Sequence, residues 1–205
     1  MTLRAVCFDL GGVIVRTEHQ APREHLAQRL GWKCEDLVSL IFEQESSLRA
    51  SLGEISTEEH WQNVTRLLGQ PASEAERIQR EFFAGDAIDW QLVNFIRSLR
   101  PKYRTGLLSN AWPDLRGTIV DHWHFDDAFD EMVISSEIGV IKPDLRFYLQ
   151  AVERLGVKPT ETVFLDDTKR NIEAACTLGM HGILFSQPET ALQELKKVLQ
   201  NHRQN

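Results

Sequence analysis

The sequence predicts an α/β fold, a doubly wound parallel sheet with an all-helical insertion after its first strand. Three observations predict it. Short β-branched or leucine-rich runs recur, each closed by polar or turn residues; helical patterns separate the later runs; and the stretch from about Arg16 to Ala87 holds several helical patterns with no convincing strand between them. Strands that alternate with helices pair in parallel through right-handed crossovers, and the helices cover both faces.

The elements follow in order. Arg4 to Phe8 reads as the first strand. Within the insertion, HLAQRL, EDLVSLIF, EEHWQNVTRLL and EAERIQREFF carry helical spacing, and Gly53, Gly69 with Pro71, and Gly85 mark helix ends. Trp61 and Phe42 sit on the apolar faces of these helices and read as their core. Thr105 to Leu108, Met132 to Ile134, Thr162 to Leu165 and Gly182 to Phe185 are the later strands. Between them, RFYLQAVERL places Phe147, Ala151, Val152 and Leu155 on one stripe, and Asn171 to Leu178 places Ile172, Ala175 and Leu178 on another. The alternating charges of ALQELKKVLQNHRQ read as the exposed face of a last helix, and Gln200 to Asn205 as a frayed tail. The division is a core of residues 1–15 and 88–205 and a helical domain of residues 16–87.

Composition bounds the function. The chain has 205 residues, with 23 Lys and Arg against 30 Asp and Glu, a formal charge of −7. A chain of this size buries roughly 70% of its unfolded surface and builds a core without metal or disulfide staples. Its acidity argues against a nucleic-acid partner. No apolar run approaches the roughly 20 residues that span a bilayer, and MTLRAVCFDL lacks the pattern of a signal peptide, so no membrane partner and a cytoplasmic location are expected. Cys7, Cys34 and Cys176 form no CxxC pair and read as small buried apolar residues.

Ligands of open α/β sheets bind at the carboxyl ends of the strands, near the point where strand order reverses. Here the first strand ends in Phe8-Asp9-Leu10-Gly11-Gly12, a carboxylate followed by backbone that lets a ligand or metal come close. The second ends in Ser109-Asn110, a hydroxyl and an amide suited to an anion. The third leads to Lys142-Pro143, where Pro143 suits the first turn of a helix and the Lys142 ammonium would project from a loop. The fourth ends in Asp166-Asp167-Thr168. Hard oxygen donors without Cys or His select Mg²⁺, and a lysine with short polar donors beside it suits a phosphoryl group. Taken singly, Asp9 reads equally as a turn cap, Asp167 or Thr168 as a helix cap, Ser109 and Asn110 as turn formers, and Lys142 as a solvated charge. Their joint placement at consecutive strand ends argues for chemistry.

In this order, FDLGGVIV, LLSNA, SSEIGVIKPD and VFLDDTKRNIEAA resemble the four signature motifs of the haloacid dehalogenase (HAD) superfamily, and the insertion matches the place of its C1 cap. More closely, the stretches from LLSNAWPDL to VFLDDTKRNIEAACTLGM resemble the N-terminal phosphatase-type domain of bifunctional epoxide hydrolases and related bacterial sugar-phosphate phosphatases. The resemblance implies a Rossmann-like core and a Mg²⁺-dependent phosphatase of small phosphorylated metabolites, a sugar phosphate among the candidates. It implies that Asp9 is the nucleophile and forms an aspartyl-phosphate, that Ser109 binds phosphoryl oxygens, and that Lys142 neutralises the approaching anions. It implies further that Asp166, Asp9 and the Gly11 carbonyl hold Mg²⁺, that Asp167 supports that shell, and that Asn110 shapes the loop beside the phosphate. Monomer and homodimer both remain open.

The sequence departs from the family at Gly11, where the usual phosphatase motif has an aspartate that protonates the leaving group and later activates water. Such a group is worth roughly 10²–10⁴ in rate. A substrate with a good leaving group, a substitute in the cap or a water would absorb the loss; otherwise the chain is a binding or regulatory protein with weak or no turnover. A haloacid dehalogenase is the third reading, disfavoured by the paired Asp166 and Asp167 and by glycine where those enzymes usually carry an aromatic residue. In VDHWHFDDAFD, His122 and His124 beside Asp126 and Asp127 imitate a metal cluster, although a polar loop explains them. Trp112 reads as a pocket wall or a packed aromatic, and Arg16 and His19 as substrate-facing residues or solvated linker.

Overall fold

The computed structural model describes residues 2–201. The chain runs through β1 (Ala5–Phe8) and the short β2 (Val15–Thr17) into five helices, α1 (Ala21–Leu30), α2 (Cys34–Phe42), α3 (Glu45–Ser51), α4 (Thr57–Leu67) and α5 (Ala75–Phe83). It returns through β3 (Asp86–Ile88) to α6 (Trp90–Leu99), β4 (Arg104–Ser109) and α7 (Leu115–Gly117), which leads into a π-helical segment over Thr118–Trp123. There follow β5 (Glu131–Ile134), α8 (Ser135–Ile138), α9 (Leu145–Leu155), β6 (Thr162–Asp166), α10 (Lys169–Thr177), β7 (His181–Leu184) and α11 (Pro188–Asn201).

Five strands form one parallel sheet in the order β5-β4-β1-β6-β7. Alternation along β1 divides the core. Val6 and Phe8 face a cluster with Leu92, Val93 and Ile96 of α6 and Leu195 of α11, while Ala5 and Cys7 face Phe147, Tyr148 and Ala151 of α9 and Ala175 of α10. The sheet is thus covered on both faces, which is why the strand sequences are apolar runs rather than alternating ones. After β5 the chain crosses from one side of β1 to the other, so the carboxyl ends of β4, β1 and β6 surround the reversal point.

Helices α1, α2, α4 and α5 share their own cluster, which includes Leu26, Leu37, Ile41, Trp61, Val64, Ile78 and Phe82. A capping box starts α4, with Glu59 N–H donating to the Ser56 hydroxyl at 3.0 Å and Ser56 N–H to the Glu59 carboxylate at 2.8 Å.

Several sequence expectations are corrected. The insertion is not free of strands: β2 and β3 pair antiparallel at its two ends, and three residues each are too short to show a period-2 pattern. Helix α3 lies under a polar sequence, ESSLRAS, that carries too few apolar residues for a stripe. Pro143 does not enter the first turn of α9, because Asp144 caps that helix by accepting from Arg146 N–H at 2.9 Å. Gln200 and Asn201 belong to α11, and the rest of the expected tail lies outside the described residues. Only Cys7 is buried; Cys34 is half-buried and Cys176 exposed. No helix among the described residues is long and apolar enough to cross a membrane.

Candidate active site

Residues from three strand ends and one loop converge. Asp9 follows β1, Ser109 closes β4, Asp166 closes β6, and Lys142 arrives on the loop between α8 and α9. Lys142 does not project into solvent. It is 2% exposed, and its ammonium lies 2.9 Å from Asp9 Oδ1, lies 2.7 Å from Asp166 Oδ2 and donates to the Leu108 carbonyl at 2.8 Å. Three acceptors meet the three N–H groups of an ammonium, which is how a buried lysine stays charged. Burial opposes that charge, but the carboxylates of Asp9 and Asp166 outweigh it and hold the Lys142 pKa above the usual lysine value. The sequence could not show this, because a lysine before proline looks the same on a surface loop.

The loop is fastened from the neighbouring strand end. Asn110 Nδ2 donates to the Lys142 carbonyl at 2.9 Å, and Lys142 N–H donates to Asn110 Oδ1 at 2.8 Å. The side chain of Asn110 therefore holds Lys142 rather than pointing both its groups at an anion. Ser135, at the start of α8, accepts from Ala111 N–H at 3.0 Å and so ties the Ser109-Asn110 turn to β5.

Asp9, Asp166 and Asp167 bring carboxylate oxygens within 4.8 Å of one another, and among the described residues this is the one such group of three or more potential ligands. Asp166 is fully buried; Asn171 Nδ2 donates to both its oxygens at 3.1 Å, and Thr168 N–H donates to Oδ1 at 2.8 Å. Asn171 is a site residue that sequence reading missed, although its place five residues after Asp166, in the first turn of α10, points it back at the strand end. Burial pushes the Asp9 pKa up to about 6, with Lys142 pulling it down and Asp166 pushing it up; burial and then Asp166 also raise Asp167. Three carboxylates against one ammonium leave a formal 1 − 3 = −2, and every donor is oxygen. That fits a hard divalent cation. Gly12 shows how tightly the loops meet, since at φ +75° a Cβ there would lie 2.0 Å from Asp167 Oδ2.

A cavity of about 940 Å³ opens beside Gly11, Gly12, Ser109 and Asn110 and extends to the helices of the insertion. A Cβ at Gly11 would meet nothing within 4 Å, so the missing aspartate leaves open space. Phe42 is corrected from helix core to cavity wall: it is 44% exposed there and stacks on Trp112 with centroids 6.0 Å apart. Trp112 is wall and packed aromatic at once, whereas Trp61 is buried as expected. Arg16 is drawn away to Asp89 at 2.9 Å, and neither it nor His19 lines the cavity. His122 and His124 join no ligand group: His124 Nδ1 pairs with the Val120 carbonyl at 2.8 Å, and Asp127 holds Arg97 at 2.6 Å.

A parallel sheet with buried acids and a lysine at its switch point, open to a cavity, defines an α/β protein with its ligand site at the strand ends. The chain belongs to the haloacid dehalogenase-like hydrolases, whose family model matches residues 3–179. It is 26% identical over 216 residues to rat bifunctional epoxide hydrolase 2; the match covers 97% of this chain and spans about two-fifths (39%) of that protein. It is 24% identical over 200 residues to the sesquiterpene phosphatase astK of Aspergillus oryzae, with 97% of each chain covered. A HAD family enzyme from Bacteroides thetaiotaomicron, solved in complex with magnesium and inorganic phosphate, matches with a TM-score of 0.75 at 22% identity, over 89% of this chain and 93% of its own, a likeness of fold.

Proposed function

We propose that this chain is a Mg²⁺-dependent phosphatase that hydrolyses a small phosphorylated molecule through an aspartyl-phosphate on Asp9. The observation that carries this reading is the placement of Lys142 between Asp9 at 2.9 Å and Asp166 at 2.7 Å, with Asp167 completing an all-oxygen set. In this reading residues 16–87 are the cap over a core of 1–15 and 88–205. The sesquiterpene phosphatase, similar along its whole length, supports phosphate as the group removed.

Asp9, Asp166 and Asp167 would hold Mg²⁺ together with the Gly11 carbonyl, and the cation would offset the charge of the phosphoryl oxygens. Asp9 attacks phosphorus with one carboxylate oxygen as the bond from phosphorus to the leaving oxygen breaks. Lys142 keeps Asp9 ionised and balances the incoming charge, and Ser109 takes a phosphoryl oxygen. Asn110 and Asn171 position Lys142 and Asp166. Water then cleaves the acyl phosphate and frees Asp9. No side chain at position 11 delivers a proton to the leaving group, so esters with good leaving groups turn over fastest.

The test is phosphate release from a panel of phosphate esters by the full chain, with Mg²⁺ and with a chelator, using Asp9→Asn as the blank. Release is expected only with Mg²⁺ and intact Asp9, with a loss in Asp9→Asn of at least about 10⁴-fold, as for removal of other covalent nucleophiles. Release that persists in Asp9→Asn overturns the nucleophile. No release from any ester, with Mg²⁺ binding intact by calorimetry, would establish the second reading, a binding protein, which the empty space at Gly11 favours.

A further inference from the structure

The proposed reaction ends with water displacing Asp9 from phosphorus. In an in-line displacement that water comes from the side opposite the bond to Asp9, the side the departing alcohol has just left. That side is the cavity, whereas Asp166 and Asp167 are gathered around Asp9 itself. A base for this water therefore has to line the cavity, and position 11, being glycine, supplies none.

Few groups qualify. Glu43, Asp86 and Asp114 are the acids that line the cavity, and no histidine among the described residues does; Arg23 and Arg170 line it too, but a guanidinium keeps its protons. Asp86 is taken up by Arg23, which donates to its two oxygens at 2.9 and 3.1 Å, and by the Thr17 hydroxyl at 2.7 Å. Asp114 accepts from the Thr57 hydroxyl at 2.7 Å. The Glu43 side chain is exposed and has no hydrogen bond or ion pair among the described residues.

Backbone and neighbours set the place of Glu43. It closes α2, its N–H donating to the Ser39 carbonyl at 2.9 Å, and Gln44 opens α3, its carbonyl accepting from Ser47 N–H at 3.0 Å. Both flanks of this turn rest on Trp112: Phe42 stacks on the indole with centroids 6.0 Å apart, and the Ser47 hydroxyl accepts from the indole N–H at 3.3 Å. Trp112 stands three residues after Ser109, on the loop that leaves β4. The turn that carries Glu43 is thus anchored to the loop that would hold the phosphoryl oxygens.

From this placement we infer that Glu43 is the general base of the second half-reaction. It takes a proton from the water whose oxygen bonds to phosphorus as the bond from phosphorus to the Asp9 oxygen breaks. Asp9 leaves as a carboxylate, inorganic phosphate departs, and Glu43 passes its proton to solvent. The inference rests on the phosphatase reading and divides the work of the missing aspartate: Glu43 serves the water, while the leaving alcohol still lacks an acid.

The test uses p-nitrophenyl phosphate, whose leaving group needs no proton, with the full chain in Mg²⁺. Glu43→Gln is expected to release one p-nitrophenol per chain as fast as the wild type and then to turn over more slowly by about 10²–10⁴, the usual worth of a general base. Phosphorylated chain is expected to accumulate, read by intact mass, and formate to restore turnover in Glu43→Ala, neither of which a loosened fold would produce. Steady turnover of Glu43→Gln equal to wild type overturns the inference, as does a first turnover slowed as much as the later ones, or a loss confined to Asp114→Asn. No p-nitrophenol from the wild type overturns the phosphatase reading, and the role of Glu43 with it.

Discussion

The strand-end site and the aromatic face opposite it are built on opposite plans. At the strand ends, four charged side chains lie in or near the core, and each that is buried is held by named partners: Lys142 by three acceptors, Asp166 by Asn171, Thr168 and Lys142. Across the cavity, Phe42, Leu48 and Trp90 hold carbon surface toward solvent with no hydrogen bond to set their direction. Charge is expensive to bury and has to be positioned by the backbone, so it sits where the sheet converges. Apolar surface is non-directional and is assembled from residues far apart in the chain.

The sharpest way to break this contrast is Lys142→Ala. Removing one member of a buried ionic group strands the others, at a cost of about 3–5 kcal/mol. Urea unfolding of the metal-free chain at pH 7 is expected to show that loss, Mg²⁺ to restore part of it by binding the two freed acids, and phosphate release to fall to background. Phe42→Ala, at 44% exposure, is expected to cost less than about 1 kcal/mol in the same assay. Similar losses in the two variants would erase the distinction between the regions.

The same contrast explains what could be read from sequence. Asp9, Ser109 and Asp166 were legible because each stands at the end of an apolar run, and strand ends in an open sheet meet at one edge whatever the intervening chain does, whereas the burial of Lys142, on a loop beyond α8, was not. The five sheet strands were legible to within a residue or two from their apolar runs, four of them because they are buried along nearly their whole length, while the edge strand β7 buries only Ile183. Strands β2 and β3 and helix α3 were not, because three-residue strands and a polar helix have no period to detect. Phe42 was misassigned since its position on an apolar stripe is identical for a core residue and a cavity wall; only the turn that brings Trp112 over it decides. Asn110 was placed beside the phosphate, but its double bond to Lys142 depends on a loop 32 residues away.

Gly11→Asp sharpens the comparison from the chemical side. The backbone there is not left-handed and a Cβ meets nothing within 4 Å, so the side chain enters without strain. If the absent acid limits turnover, kcat on alkyl phosphates rises by about 10²–10⁴, the usual worth of a general acid or base, while esters with good leaving groups gain little. A uniform or absent gain across leaving groups would show that the open space at Gly11 serves the substrate body rather than marking a lost proton donor.

A last effect concerns pH, where the two regions respond in opposite senses. His60, packed on Trp112, is fully buried, with Nδ1 2.9 Å from the Ser46 hydroxyl and Nε2 without a partner; burial, partly offset by the Ile41 backbone, holds its pKa down to about 4. The unfolded chain takes this proton first, near 6.5, so the stability His60 contributes is full above pH 6.5 and is lost as pH falls toward 4, by up to about 3 kcal/mol. Asp9 runs the other way. Its folded value of about 6 exceeds the unfolded 3.8, so its contribution is full below pH 3.8 and is lost as pH rises through 6. Between pH 4 and 6.5 the metal-free chain sums the two opposing slopes. His60→Gln keeps a hydrogen-bonding group beside Ser46 and removes only the titration, so urea unfolding across this range is expected to lose the His60 slope and keep that of Asp9. An unchanged pH profile would mean that the aromatic face carries no buried histidine penalty and that the pH response belongs to the strand ends alone.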